Sequence, residues 1–583
     1  MSLLNKASLI QIPSGYKDGT LYSAKPTNGD GDFTFSRGSN LAATRVNSEG
    51  LIEKGRENLL LQSNTFDTTW VTSSASVNGG QTGYDGSSDA WLLSKTGDYG
   101  RVEQNTSASG IYTLSVYAKS GTLDWLSFEN SGISADTCFF DLSNGVLGSK
   151  GAGVVSTSIQ SIGNGWYRCS AIFNGAFGIS RIQPSISDGV VNGTNGNIYI
   201  QDAQLEVGLV STDVITTTTT TEQAGILEDM PRLDYSGGAT CPSLLLEGQR
   251  SNALAHSEYL NGIVTFGGTN TDNATTSPEG LVNSGLYTEN TANTYHRFNT
   301  GNQSYTQNQA YTFSVFAKSY SDNRFLIVNC VSAFGARTYF DLSDGTKNVV
   351  SGTADIQDYG NGWYRCSVTG TRTAATGTDS IYFGLNTTEA DSAYTGDGTS
   401  GMYFWGAQLE EGSYSTSYIP TYGASVTRSE DYSDNAGDSS VFNDTEGVLY
   451  LESSWLSNEL GTSTIAISDG STSNRIILGY IGADDDLYCT SIGGGSSPSL
   501  MSYDVGDITT NHKIAIKYKA NDFAFWVDGV ERGTQSSGTT PVGLNELNFS
   551  SGTGGSKIFG NMKQILYFPT ALTDDELASL TTI

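Results

Sequence analysis

The chain has 583 residues, above the size at which one hydrophobic core stops growing, so a single compact domain is excluded and about two to four are expected. With 30 basic against 60 acidic residues, the formal charge of -30 excludes a broad phosphate-binding surface and argues against nucleic acid as a partner. Charged residues make up only 15% of the chain while Gly fills 70 positions and aromatics 11%, which excludes a disordered chain and points to folded β structure rich in glycine turns.

The chain opens MSLLNKASLIQIPSGYKDG, where the apolar run Ala7 to Ile12 is broken by Ser8 and Gln11. That run is too short for the apolar core of an export signal, and no stretch of about 18 apolar residues occurs later. The reading is a soluble protein made without a signal peptide and without membrane insertion. Residues 1–50 lack the composition of a self-sufficient core and are expected to order by docking on another protein, as an anchoring segment.

From residue 51 an internal duplication organises the chain, with matching blocks in one order about 200 positions apart. Arg56 and Asn58 in GRENLLLQS match Arg250 and Asn252 in QRSNALAHS, and YTLSVYAKS from Tyr112 matches YTFSVFAKS from Tyr311. FFDLSNG from Phe139 matches YFDLSDG from Tyr339, GNGWYRCS recurs from Gly163 and Gly360, and AQLEVG from Ala203 matches AQLEEG from Ala407. The blocks alternate with period 2: Tyr112, Leu114, Val116 and Ala118 face one way, Thr113, Ser115, Tyr117 and Lys119 the other. Asn164-Gly165 and Asn361-Gly362 are tight-turn signals. Residues 51–215 and 243–425 are therefore predicted to be homologous antiparallel sandwiches of jelly-roll type. Residues 216–242, opening with six threonines from Thr216 to Thr221, read as a linker or alternatively as an edge strand.

A second linker is predicted at 426–439, and 440–583 as a different sandwich, since neither NGWYR nor AQLE recurs there. HKIAIKYKANDFAFWVDGVERGT alternates around Asn521-Asp522 and Asp528-Gly529, the pattern of a β meander. Thr573 and Glu576 have capping-box spacing ahead of Leu577 and Leu580, predicting one short C-terminal helix. The expected fold is all-β, three sandwiches in series with the first two homologous. Six cysteines, 138, 169, 241, 330, 366 and 489, form no CxxC pair and read as free thiols. Cys138 aligns with Thr338 and Cys330 with Asn130, which excludes a shared disulfide at those pairs.

No catalytic constellation emerges, and the chain is read as not an enzyme. His256, His296 and His512 are too scattered for a metal motif, and the adjacent Glu410 and Glu411 carry no information among sixty carboxylates. No cofactor is expected. The acidic loops Asn28 to Asp32 and Asp484 to Asp486 admit a calcium reading, with solvated turns as the plainer one. The repeated Trp-Tyr-Arg unit holds the candidate binding residues. With Tyr167, Cys169, Tyr364 and Cys366 on the core side, Trp166 and Arg168, and likewise Trp363 and Arg365, would form an outward platform for a sugar ring. The competing reading has each Trp covering an edge of the core and each Arg paired locally.

FTFSRGSNLAATRVNSEGLIE from Phe33 to Glu53 and MPRLDYSGGATCPSLLLEGQRSN from Met230 to Asn252, with the YAKS, NGWYR and AQLE blocks, resemble the tailed-bacteriophage head spike or head fibre family with carbohydrate-binding-module-like sandwiches, over about residues 30–430. Residues 440–583, through KIAIKYKANDFAFWVDGVERGT and ILYFPTALTDDELASL, resemble laminin G-like, concanavalin A-like domains. In the phage family the two segments usually lie close together ahead of one sandwich, whereas here about 180 residues separate them, so which copy keeps a ligand site stays open. The resemblance implies a virion structural protein, head or tail, made in the host cytoplasm and displayed on the virion surface. Its implied partners are capsid or tail proteins through the N-terminal segment, host-surface glycans, and copies of itself, as a trimer. A polysaccharide depolymerase with appended binding modules, or a bacterial surface adhesin, are the alternatives.

Overall fold

The computed structural model describes residues 3–583 except positions 18, 40, 134, 135, 322, 323, 391, 459 and 483–485, and the side chains of 497–499. The fold is all-β, in three antiparallel sandwiches with a short C-terminal helix, Asp574–Thr581, closed by the Thr573/Glu576 capping box. Among the described residues one further α-helical turn, Val331–Phe334, lies in the second sandwich.

The two repeats adopt the same topology. Strand Arg101–Ser120 pairs with Trp166–Ser185 on one side and Gly196–Val207 on the other; Ala310–Ser319 pairs with Trp363–Thr371 and Gly401–Glu411 in the same way. Even the irregularity recurs, as a register shift between Ser115 and Tyr117 and between Ser314 and Phe316. In the first copy two strands of 20 residues run through both layers. In the second they are interrupted, and two six-stranded sheets result. Leu114, Val116, Cys169 and Leu205 in the first copy, and Phe313, Val315, Cys366 and Leu409 in the second, fill equivalent cores. All six cysteines are free, five of them buried.

The repeated RxN and AQLE blocks owe their recurrence to one latch. Buried Asn58 donates Nδ2 to the carbonyls of Ala203 (3.2 Å) and Ile215 (2.8 Å), and its Oδ1 accepts from the Leu60 and Leu205 amides, each at 3.1 Å. Asn252 repeats this with Ala407 and Ile419, and with the Leu254 and Leu409 amides. The glutamine of each AQLE accepts from a downstream amide, Ile215 to Gln204 at 2.8 Å and Ile419 to Gln408 at 2.7 Å. Glu206 and Glu410 receive the amide and hydroxyl of Thr212 and Thr416. These buried side chains replace missing ladder bonds and draw the segment after AQLE back across the sheet as a strap.

The third sandwich departs from the series of domains expected. Its core includes Leu9, Leu21, Phe33 and Phe35 from the N-terminal segment and Leu233, Leu244 and Leu246 from the region between the repeats. Strand Leu9–Gln11 pairs with Gly560–Phe568, Phe33–Ser36 with Tyr432–Asp434, and Ser243–Leu246 again with Gly560–Phe568. Residues 1–50 are therefore not a detached arm: the apolar groups that seemed too few for a core complete one already present in the chain. Leu244 and Leu246 correct the start of the second sandwich, and Leu233 the extent of the linker. Each repeat hangs from a two-stranded neck, Arg56–Asn58 with Glu222–Ala224 and Arg250–Asn252 with Val426–Arg428. Both are inserted into the third sandwich rather than preceding it. The threonine run forms no strand; Thr217 is buried, its amide held by Ser63 Oγ at 2.9 Å.

The insertion explains how two distant segments act together. Val46 N donates to Asp234 Oδ1 at 2.8 Å and Tyr235 N to Val46 O at 2.9 Å. Residues 33–53 and 230–252 are thus neighbours in space although the first sandwich divides them in sequence. Where they meet the second neck, Arg37, Arg232 and Arg428 are fully buried with Asp431, Glu247 and Glu410. Arg37 lies 3.2 Å from Asp431, Arg232 2.6 Å and Arg428 2.7 Å from Glu247, and Arg232 also pairs with Asp431. A second buried cluster joins the two repeats, with Lys54 Nζ 2.6 Å from both Glu258 and Glu279 and 2.9 Å from the Tyr422 hydroxyl.

Candidate functional site

The repeated Trp and Arg side chains lie on the sheet face opposite the main core, as alternation requires, but that face is covered. Trp166 and Trp363 are each 2% exposed. Trp166 packs with Tyr84, Tyr117, Tyr199 and Val214, and Trp363 with Ile52, Phe316, Trp405 and Tyr418, so the straps ending at Val214 and Tyr418 roof them. Trp363 Nε1 donates to Thr276 O at 3.0 Å. Arg168 lies 5.3 Å over the Tyr117 ring and donates to Ser115 Oγ at 3.3 Å; Arg365 lies 5.4 Å over Phe316 and donates to Ser314 Oγ at 3.1 Å. The expected outward platform of Trp166, Arg168, Trp363 and Arg365 is absent because the latch lays the strap over it. Three of the four are wall and floor of a core. The fourth, Arg365, reaches a cleft.

This cleft, of about 890 Å³, opens where the second sandwich meets the third. One wall is the hairpin Thr44–Val46 and Ile52–Lys54, whose turn is closed by Asn47 Oδ1 accepting from the Glu49 and Leu51 amides at 3.0 Å. The second is the turn Asp234 to Gly238, where Gly237 and Gly238 take φ of 71° and 73°, a left-handed conformation that side chains resist. The repeated Gly360-Asn361 turn forms the rim, Ser415 to Tyr418 of the strap the back, and Leu456 and Asn561 of the third sandwich the remaining side. Tyr235, Tyr359, Leu51 and Leu456 are half-buried in it, with Gln357, Asp358 and Asn361 exposed at its edge.

Two of the carboxylates that line the cleft are engaged locally. Asp234 accepts from the Val46 and Ser236 amides. Burial alone would raise the Glu247 carboxyl, but Arg428 and Arg232, with the donors of Ser417, hold it at about 2. Burial likewise pushes the Tyr359 hydroxyl up, against the opposing influence of the adjacent Arg365. A carboxylate pinned in the ionised form is the opposite of a general acid. What the cleft offers is two tyrosine rings and two leucines beside neutral amide and hydroxyl groups, which suits a ring with an apolar C–H face and polar edges.

The adjacent glutamates, His296 and Asp32 are each placed by local contacts. Glu410 is buried and Glu411 exposed on the opposite face, so they form no carboxylate pair. His296 is buried between the carbonyls of Gly267 and Tyr394. Asp32 caps the Ser23 amide at 2.7 Å, while Asp484 and Asp485 lie outside the described residues. Among the described residues, no group of three or more His, Cys, Asp or Glu is placed to hold a metal ion, and no helix is long and apolar enough to cross a membrane.

Sequence reasoning missed the cleft because seven separated segments build it. One signal was available: Phe33 to Glu53 and Met230 to Asn252, singled out by resemblance, supply two of its walls.

Comparison with known proteins gives partial matches. Residues 488–582 match the family model described as Peptidase S7, Flavivirus NS3 serine protease. That stretch contains His512, with Nδ1 2.7 Å from Asp528 Oδ2 and Nε2 2.9 Å from Asp507 O and 3.2 Å from Thr510 Oγ1. Thr510 itself donates to the Asp507 carbonyl at 3.0 Å. Burial works against protonation of His512, but the two flanking acceptors outweigh it and raise its pKa. The two ring nitrogens face the Asp528 carboxylate and the Asp507 carbonyl, and these contacts hold the start of strand His512–Lys519 in place. No curated protein sequence matches the chain. Among solved structures, the CBM40 module of the Ruminococcus gnavus IT-sialidase, with alpha2,3 sialyllactose and without it, is similar at 14% identity and a TM-score of 0.22. Each of these two matches covers 25% of this chain and 91% of that chain.

Proposed function

We propose that this chain is a non-enzymatic, carbohydrate-binding structural protein displayed on the surface of a tailed-bacteriophage particle, where it engages host-surface glycans. The observation that carries the binding reading is the cleft of about 890 Å³, with Tyr235 and Tyr359 beside hydrogen-bonding groups and with Asp234 and Glu247 tied up by amides and guanidinium groups. The particle reading rests on the two segments that resemble the head spike or head fibre family and that meet at this cleft. Assembly as a trimer belongs to the same reading, since linked weak sites gain effective affinity.

The test has two arms. Immunogold labelling of intact particles with antibody against the chain places it on the virion surface; unlabelled particles refute that placement. For the cleft, Tyr235→Ala and Tyr359→Ala should each weaken adsorption of the purified, folded chain to host-cell envelopes by about tenfold, the equivalent of about 1.4 kcal/mol. Unchanged adsorption in both variants refutes the cleft. Sedimentation giving three chains per particle supports the trimer, and a 61.8 kDa species refutes it in solution.

A further inference from the structure

The outer face of the second sandwich carries a feature separate from the cleft. Strand Val264–Phe266 pairs with His296–Asn299, which pairs with Tyr382–Asn386. Side chains alternate across a strand, so Phe298 and Phe383 enter the core while Val264, Phe266, Arg297, Asn299 and Tyr382 share the outer face, joined by Tyr295. The Arg297 guanidinium lies 4.0 Å from the Tyr295 ring centroid and 4.0 Å from that of Tyr382, a cation stacked between two aromatic rings. Phe266 stands directly across the strand pair from Arg297. These groups are presented to solvent: Val264 is 55% exposed, Phe266 45% and Tyr295 38%. Beside them Gly384 pairs with Arg297, and a Cβ there would meet His296 O at 2.4 Å, so the face keeps a step next to the stack.

The first copy provides an internal control. By strand register, Val71, Ser73, Tyr99, Arg101, Glu103 and Arg181 occupy the equivalent positions, with Ser73 opposite Arg101 and Glu103 opposite Arg181. The tyrosine, arginine and valine are the same in both copies. The other three differ, and the outcome changes with them. Glu103 lies 2.7 Å from Arg101 and 2.9 Å from Arg181, and Arg181 pairs further with Glu129, so this face is a lattice of ion pairs. The second copy has Phe266, Asn299 and Tyr382 at the positions of Ser73, Glu103 and Arg181, so two aromatic rings and a neutral amide stand where the first copy has a hydroxyl and two charged groups.

We propose that this face of the second sandwich is a carbohydrate-binding platform for a neutral polysaccharide chain, and that the first copy has no counterpart. A sugar ring packs its C–H face on an aromatic ring and needs neutral donors and acceptors at its edge. The arginine between the rings holds them in place, which lowers the ordering cost of binding. The charge of -30 opposes an anionic polymer, and the carboxylate present in the first copy as Glu103 is here Asn299.

The experiment is affinity electrophoresis of the full chain through gels containing dextran, galactomannan or β-1,3-glucan, with alginate as the anionic comparison. At least one neutral polymer should retard the chain. Phe266→Ser and Tyr382→Arg, which install the residues of the first copy, should each raise the apparent Kd at least about tenfold. Phe266 is exposed, so Phe266→Ser keeps the test valid if Tyr382→Arg fails to fold, and a thermal unfolding curve establishes which variants are native. Tyr235→Ala in the cleft is run beside them to tell the two sites apart, and Ser73→Ala, at the position of the first copy that matches Phe266, should leave the retardation unchanged. The proposal is overturned if none of the three neutral polymers retards the chain, if alginate alone does, or if the folded platform variants migrate as the parent does. Loss of retardation in the cleft variant alone overturns the platform and leaves the cleft reading standing.

Discussion

Replacing Glu247 by Gln tests whether the buried charge cluster holds the third sandwich to the second neck. Glu247 accepts from Arg232 at 2.6 Å, from the Ser417 amide at 2.7 Å and from the Ser417 hydroxyl at 2.6 Å, and pairs with Arg428 at 2.7 Å, the three charged side chains having negligible solvent contact. An amide of the same shape keeps the acceptor oxygen but leaves two buried guanidinium groups short of one negative charge, a change that costs about 3–5 kcal/mol. The pH dependence provides a second measure. Because the folded carboxyl is held at about 2 against an ordinary 4.5, its ionisation contributes stability that is fully present above pH 4.5 and is lost as pH falls through 2. That displacement corresponds to about 3 kcal/mol, in line with the mutational figure. Urea unfolding followed by tryptophan fluorescence, to which Trp455 and Trp526 of the third sandwich contribute, should show the largest gap between parent and variant at pH 7, narrowing between pH 4.5 and pH 2. The chain has several domains, so the transition assigned to the third sandwich is the one compared. A gap below about 1 kcal/mol at pH 7, or one that does not change with pH, would refute the clamp.

Two further predictions follow from packing. Phe33 is fully buried and stacked on Phe549 at 4.9 Å between ring centroids, so Phe33→Ala should destabilise the C-terminal sandwich by about 3–5 kcal/mol, and deletion of residues 2–30 should make residues 440–583 protease-sensitive; an unchanged proteolysis pattern would show the N-terminal segment to be dispensable. Trp363→Ala should also cost about 3–5 kcal/mol in thermal or urea unfolding, and in a folded variant any loss of glycan adsorption should track that instability; lost adsorption at parental stability would restore Trp363 to a direct binding role.

Local pattern made the repeats legible, and long-range closure hid the rest. Period 2 placed Leu114, Val116, Phe313 and Val315 in the cores, Asn521 and Asp528 at turns with positive φ, and Thr573 at the helix cap. The nesting of both repeats within the third sandwich left no such trace. Its closing strands are as short as Leu9–Gln11, too brief for a periodicity, and they pair across most of the chain, Leu9 with Tyr567 and Leu244 with Met562. Alternation also states only that a strand has two faces, not what covers the second, and for that reason Trp166 and Trp363 read as an open platform. The correcting signal lay in the repeats themselves. Asn58, Gln204 and Glu206, recurring as Asn252, Gln408 and Glu410, are polar groups set among apolar strand residues; such groups persist in a core only when backbone partners satisfy them, and those partners here are the strap that buries the tryptophans. The same logic turns the search for ligand contacts around. Residues that two copies of a domain share are those that both need in order to fold, and the Trp-Tyr-Arg unit is of that kind. A site that serves one copy has to be sought where the copies differ on a common frame, as Tyr99 and Arg101 match Tyr295 and Arg297 while Ser73, Glu103 and Arg181 give way to Phe266, Asn299 and Tyr382.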